Sequence, residues 1–144
     1  MSAIIMSPTD GRVLEVLGDR VVIKSAGSDT EGRFALLEFT SPKGGGAPPH
    51  RHPWREGYWV LEGEFEFFID GERRKFTPGS WLVVPPGAAH TLKALTDSAR
   101  YLMFAEPAGV EACLIDIQAR TASDPTNIEK IVQIAGEHGI ELAG

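Results

Sequence analysis

The chain has 144 residues, 42% apolar and 24% charged, the make-up of one ordinary globular domain spanning residues 1–144. Its net charge of −6 argues against nucleic acid as a partner, and no apolar run approaches the ~18 residues of a membrane helix. A single cysteine, Cys113, excludes an internal disulfide, and the opening residues lack a signal-peptide pattern, so a cytoplasmic protein is expected.

Strand-like segments run from Arg12 to about Ile117. Residues 13–16 and 20–24 flank Gly18-Asp19, read as a tight-turn pair. A strand at 33–39 leads into a glycine- and proline-rich loop at 43–49. Strands at 58–61 and 65–69 flank Glu62-Gly63-Glu64, and Asp70-Gly71 is a type I′ hairpin signal into 72–76. Pro78-Gly79, Pro85-Pro86-Gly87 and Asp97-Ser98 punctuate three further strands ending at 101–104. Many short strands with regular turns mean a sandwich or barrel. The period then changes. Asp124-Pro125 reads as a helix start, and Ile128, Ile131, Val132 and Ala135 follow at helical spacing, predicting one helix over about 125–138 with Gly139 just past its end. His138 reads as a solvated residue placed against that helix's dipole.

Three of the chain's four histidines fall in one constellation: His50-x-His52, Glu56, and His90. Side chains alternate faces along a strand, so His50 and His52 point the same way, and Glu56 keeps that parity if the chain bends smoothly. On a helix, positions 50 and 52 would diverge by about 200°, and the two prolines before His50 disfavour one. Three neutral imidazoles and a carboxylate suit one divalent transition metal, with Fe, Mn or Ni favoured and Zn or Cu also accommodated. The Gly44-Gly45-Gly46 run is not a phosphate loop, since no Lys-Ser/Thr pair follows it.

These residues sit in a frame of glycines and a proline. Gly44, five residues, His50-x-His52, three residues, Glu56, six residues and Gly63 form one block. Gly79, five residues, Pro85-x-Gly87, two residues and His90 form a second, fifteen residues further on. The two blocks resemble the paired signature motifs of the cupin superfamily, with one departure: Ala94 stands where the family has Asn. The short spacing is typical of small microbial cupins, and no internal repeat is found, so a monocupin is expected. The resemblance implies an all-β fold, a double-stranded β-helix or jelly-roll barrel over about 12–117 with a C-terminal α-helix. It implies further that His50, His52, Glu56 and His90 converge on one metal inside that barrel. The frame and the tail both resemble small quercetinase-like dioxygenases, in which a metal holds an enolate and O2 while the glutamate doubles as base, a catalytic role that falls here to Glu56.

Parity suggests a pocket. Counting from Glu56, Tyr58 and Val60 face inward, and counting from His90, Leu92 and Ala94 do; Trp54 is placed at the mouth. This apolar set suits a small aromatic or enolisable substrate. Trp59, Leu61 and Phe68 then face outward, and covering them implies a homodimer. Two other readings stand beside the dioxygenase. One is a metal-dependent isomerase, decarboxylase or hydrolase without O2 chemistry, and the other a non-catalytic module binding a small molecule.

Overall fold

The computed structural model describes residues 2–143; Met1 and Gly144, the two ends of the expected domain, lie outside the described residues. Two antiparallel sheets face each other. The larger is ordered β1-β2-β3-β10-β5-β8, built from β1 (Arg12–Val16), β2 (Asp19–Ser25), β3 (Ala35–Ser41), β10 (Ala99–Glu106), β5 (Arg55–Glu62) and β8 (Trp81–Val84). The smaller is ordered β11-β4-β9-β6-β7, from β11 (Glu141–Leu142), β4 (His50–Arg51), β9 (His90–Ala94), β6 (Phe65–Ile69) and β7 (Glu72–Phe76). Alternation decides what lies between them. Along β3 and β10 every second residue is buried, and on β6 Phe65 and Phe67 are buried while Glu66 is only half-covered. Burying one such large apolar side chain stabilises by about 1.5–3 kcal/mol, so the inward rows fix the register. This is a jelly-roll β-barrel, as expected.

Three boundaries differ from the sequence reading. The β1–β2 turn is made by Leu17 and Gly18, with φ of 52° and 81°, and not by Gly18-Asp19. A two-residue turn with both φ positive puts glycine second, so Asp19 becomes the first residue of β2 and is buried. The continuous run of barrel strands also stops at Glu106, short of 117. Residues 110–120 form helix α1 (Val110–Arg120), in which Val110, Cys113 and Ile117 bury a stripe of helical spacing. The apolar density of that segment had masked its 3.6 period. The second helix, α2 (Ile128–Glu137), begins three residues later than predicted, because Asn127 and not Asp124 caps it, accepting a bond from the Lys130 amide at 3.2 Å. Asp124 instead holds the turn before it, accepting from the Thr126 hydroxyl at 2.9 Å. Gly139, at φ 91°, ends the helix as read.

Helix α1 packs against β1, β3 and α2, and α2 against β11. Ile131, Ile134 and Ala135 of α2 are buried, and His138 at its end bonds Asp116 of α1 at 2.9 Å, so it is a helix–helix contact as well as a terminal residue. Beyond α2 the chain returns as β11, which pairs with β4. Among the described residues no helix is long and apolar enough to cross a membrane.

Candidate metal centre

His50 and His90 are direct cross-strand partners on β4 and β9, which brings their rings to 4.4 Å between centroids. His52 follows β4, its carbonyl held by the Gly87 amide at 2.8 Å, so the proline-glycine turn of the second block locks the first. Glu56 enters from the opposite sheet on β5. One ring nitrogen from each histidine lies within 4.8 Å of the others. Glu56 Oε1 lies 3.2 Å from His52 Nε2 and 3.5 Å from His90 Nε2. The three ring nitrogens therefore meet at one point, with Glu56 Oε1 beside those of His52 and His90.

The protonation pattern follows from the backbone. His50 Nδ1 bonds the Pro48 carbonyl at 2.8 Å, His52 Nδ1 that of Trp54 at 3.0 Å, and His90 Nδ1 that of Ala88 at 2.9 Å. A carbonyl only accepts, so in each neutral ring Nδ1 carries the proton and Nε2 keeps its lone pair. The Nε2 atoms of His52 and His90 are buried and have no hydrogen-bond partner. Two buried lone pairs facing a carboxylate oxygen repel one another unless a cation lies among them. The donor set thus fits a divalent metal, with the backbone carbonyls fixing each imidazole from behind.

Glu56 is prepared for the charged form. Burial alone would raise its carboxyl, but in the protein without a metal the imidazolium forms of His52 and His90, and then the Tyr58 hydroxyl, outweigh it and hold it well below the usual carboxylate range. Tyr58 donates a short bond to Oε1, and Trp54 Nε1 donates to Oε2 at 2.8 Å. Burial first, then the Glu56 charge, raises the Tyr58 hydroxyl, so it stays a donor. Burial followed by the neighbouring His90 lowers His50, favouring the neutral ring that a metal requires.

Beside this cluster lies a cavity of about 150 Å³. Barrel residues Phe39, Tyr101 and Met103 form part of its wall, and Ile117 of α1 and Ile131 of α2 close it. Of the expected pocket residues, Tyr58 and Leu92 line it. Val60 and Ala94 do face inward, but they are spent on core packing and are not part of the cavity wall. Ala94 lies opposite Phe65, and its backbone bonds Gly44 and Gly45, so this position anchors the glycine loop. Trp54 does not wall the mouth. It stacks on His52 at 4.2 Å and orients Glu56, supporting the ligands from outside the cavity. Sequence reasoning missed Tyr101, Asp19 and the α1 residues among the lining. Tyr101 was legible by parity along β10, whereas Asp19 was hidden by the misplaced turn.

Residues 37–105 match the protein family described as Cupin domain. The chain carries a cupin domain. The quercetin 2,3-dioxygenase of Bacillus subtilis (strain 168) is 31% identical to this cupin over 96 residues, which is 58% of the chain and 28% of the relative. An uncharacterized protein of Aquifex aeolicus is matched over 36% of its length, so the chain spans well under half of the curated relatives it matches. Among solved structures, an RmlC-like cupin from Shewanella frigidimarina superposes with a TM-score of 0.67 at 19% identity, over 77% of this chain and 96% of that one. The polyketide cyclase RemF from Streptomyces resistomycificus gives 0.62 at 25% identity, over 73% and 80%. These likenesses agree with the single cupin barrel seen here.

Proposed function

We propose that this cupin is a metal-dependent dioxygenase acting on a small aromatic or enolisable compound. The observation carrying the proposal is the set of orphaned Nε2 lone pairs around Glu56 beside a largely apolar cavity. A divalent transition metal held by His50, His52, His90 and Glu56 supplies Lewis acidity toward a substrate oxygen and a redox partner for O2. The protein's own part is positioning. The apolar wall excludes water, and the backbone carbonyls keep each imidazole lone pair aimed at one point. Glu56 already accepts from Tyr58 and Trp54, so taking a proton from substrate requires it to exchange one of those bonds for the substrate hydroxyl.

The similarity to a quercetin dioxygenase supports the O2 reading, and the similarity to a polyketide cyclase supports a second one, the same site used without O2. The proposal also includes a homodimer formed through the outer face of β5 and β8. There Trp59 and Trp81 are cross-strand partners, 43% and 52% exposed.

Protein purified without chelator is expected to hold about one transition metal per chain, and His52→Ala or His90→Ala to lose most of it, as read by elemental analysis. Loaded with Fe, Mn or Ni and given hydroxylated aromatics, it is expected to consume O2 in an electrode cell. Full metal occupancy in both variants would defeat the site. Metal retention with no O2 uptake would remove the dioxygenase and leave the O2-independent reading.

A further inference from the structure

The cavity beside the metal centre has no cationic side chain in its wall: among the described residues that line it there is no lysine or arginine. Away from the histidine cluster, Glu56 and Tyr58, three polar side chains remain, and none supplies a counter-charge for an anion. Thr91 spends its hydroxyl on the Ala47 carbonyl. Tyr101, stacked on Phe39 at 4.9 Å, is kept neutral, its hydroxyl raised by burial first and then by Asp19 and Glu56. Asp19 is itself acidic, with Oδ1 buried against Gly45.

The apolar part of the wall runs out to the surface. Leu114 of α1, Ile128 and Val132 of α2, and Leu142 of β11 all line it. Ile128 is 44% and Leu142 53% exposed, so the apolar lining reaches solvent on this side. One exposed apolar side chain is ordinary, but four from three elements bordering the same cavity make an apolar vestibule. An anion entering it would leave water with no cation to meet it and with two carboxylates in the wall to repel it. An apolar group gains there by leaving water.

We infer that the substrate is polar at one end only: its oxygen atoms face the histidines, and an uncharged apolar ring or chain runs past α1 and α2 toward the surface. This rests on the metal-centred reading of the site and narrows its substrate class. Phenols and enols bearing alkyl or aryl extensions fit, whereas sugar phosphates and molecules with a carboxylate remote from the metal do not. The open side sets no fixed limit on the length of the extension.

The test is calorimetric binding to the full chain loaded with Zn(II), under argon at pH 7.5, so that no turnover is needed. The probes are 4-methylcatechol, 4-tert-butylcatechol and 3,4-dihydroxybenzoate, which share one metal-facing head. Each affinity is taken relative to the same compound's affinity for Zn(II) in solution. 4-tert-Butylcatechol is expected to bind at least about tenfold tighter than 4-methylcatechol, and 3,4-dihydroxybenzoate at least about tenfold weaker. Leu114→Lys and Val132→Lys change half-buried lining positions on different helices. Each is expected to shrink the ratio between the butyl and carboxylate compounds by about tenfold or more, with zinc content unchanged. If one variant fails to fold, the other decides. Equal or tighter binding of 3,4-dihydroxybenzoate in the wild type, no gain from the butyl group, or an unchanged ratio in the lysine variants would each overturn the proposal. Failure to hold zinc, or no catechol binding to protein that holds it, would instead strike the metal-centred reading. Absent O2 uptake with the ordering intact would strike only the dioxygenase.

Discussion

Asp19 also makes a sharp prediction about stability. Its carboxyl is raised from an ordinary 3.8 to about 6, chiefly by burial. At about 1.36 kcal/mol per pKa unit, ionising Asp19 in the folded protein is disfavoured by roughly 3 kcal/mol relative to the unfolded chain. The sign follows from the direction of the rise. A folded pKa above the unfolded one means that the protonated form favours folding. That stability is fully present below 3.8, is lost as pH climbs toward 6, and stays lost above. The stability of wild type minus that of Asp19→Asn is therefore expected to fall by roughly 2.5 kcal/mol between pH 4 and pH 7 and to level off beyond. Urea denaturation of chelator-treated protein, followed by tryptophan fluorescence at four pH values, measures it. The other ionisable groups are common to both proteins and cancel in the difference. A difference that stays constant to within about 0.5 kcal/mol over this range would show that Asp19 is paired or hydrated, and the burial reasoning would fail.

Two further perturbations probe the frame and the surface. Gly46 has φ 153°, and a Cβ there would drive into the Leu92 carbonyl on the strand that carries His90. Gly46→Ala is expected to destabilise by roughly 2–4 kcal/mol in urea melts and to lower metal content with it, because backbone on both sides must move; an unchanged midpoint would refute this. On the outer face, Gly57 leaves room for the Trp81 ring, which a Cβ would strike. Since that ring is exposed and free to swing, Gly57→Ala is expected to change stability by under about 1 kcal/mol. It should still weaken the proposed dimer in sedimentation velocity, and full dimer retention would argue that the tryptophan face is not the interface.

The barrel and the ligand cluster were legible because both rest on local rules. Parity placed Tyr58 and Val60 inward and Trp59 outward, and the spacing of His50, His52 and His90 brings their ring nitrogens together with Glu56 beside two of them. What escaped depends on contacts between distant segments. Asp19 was misassigned by one residue, since Leu17 rather than a glycine or asparagine adopts the first positive φ of the turn. One residue is enough to move a side chain from solvent to core. Trp54 was read by position alone. Its stacking on His52 and its bond to Glu56 depend on how the chain bends between β4 and β5. Helix α1 was lost because Val110, Ala112 and Leu114 mimic strand alternation as readily as Val110, Cys113 and Ile117 mark a helix.

The pairing of β11 with β4 has a kinetic side. Strand β4 has only two residues, and its neighbours are β9, through His50 and His90 alone, and β11, where Leu142 lies opposite His50. That second contact joins segments separated by more than half of the chain, with β5 to β10 and both helices between them in sequence. Closing so long a loop carries an entropic penalty that nearby hairpins such as β6–β7 escape. The hairpins are therefore expected to assemble early and β4 to be clamped among the last events, with His50 the final ligand to reach its place. Capture of the proposed metal then belongs to the end of folding, and the same short strand is where the finished protein is expected to open with least disruption.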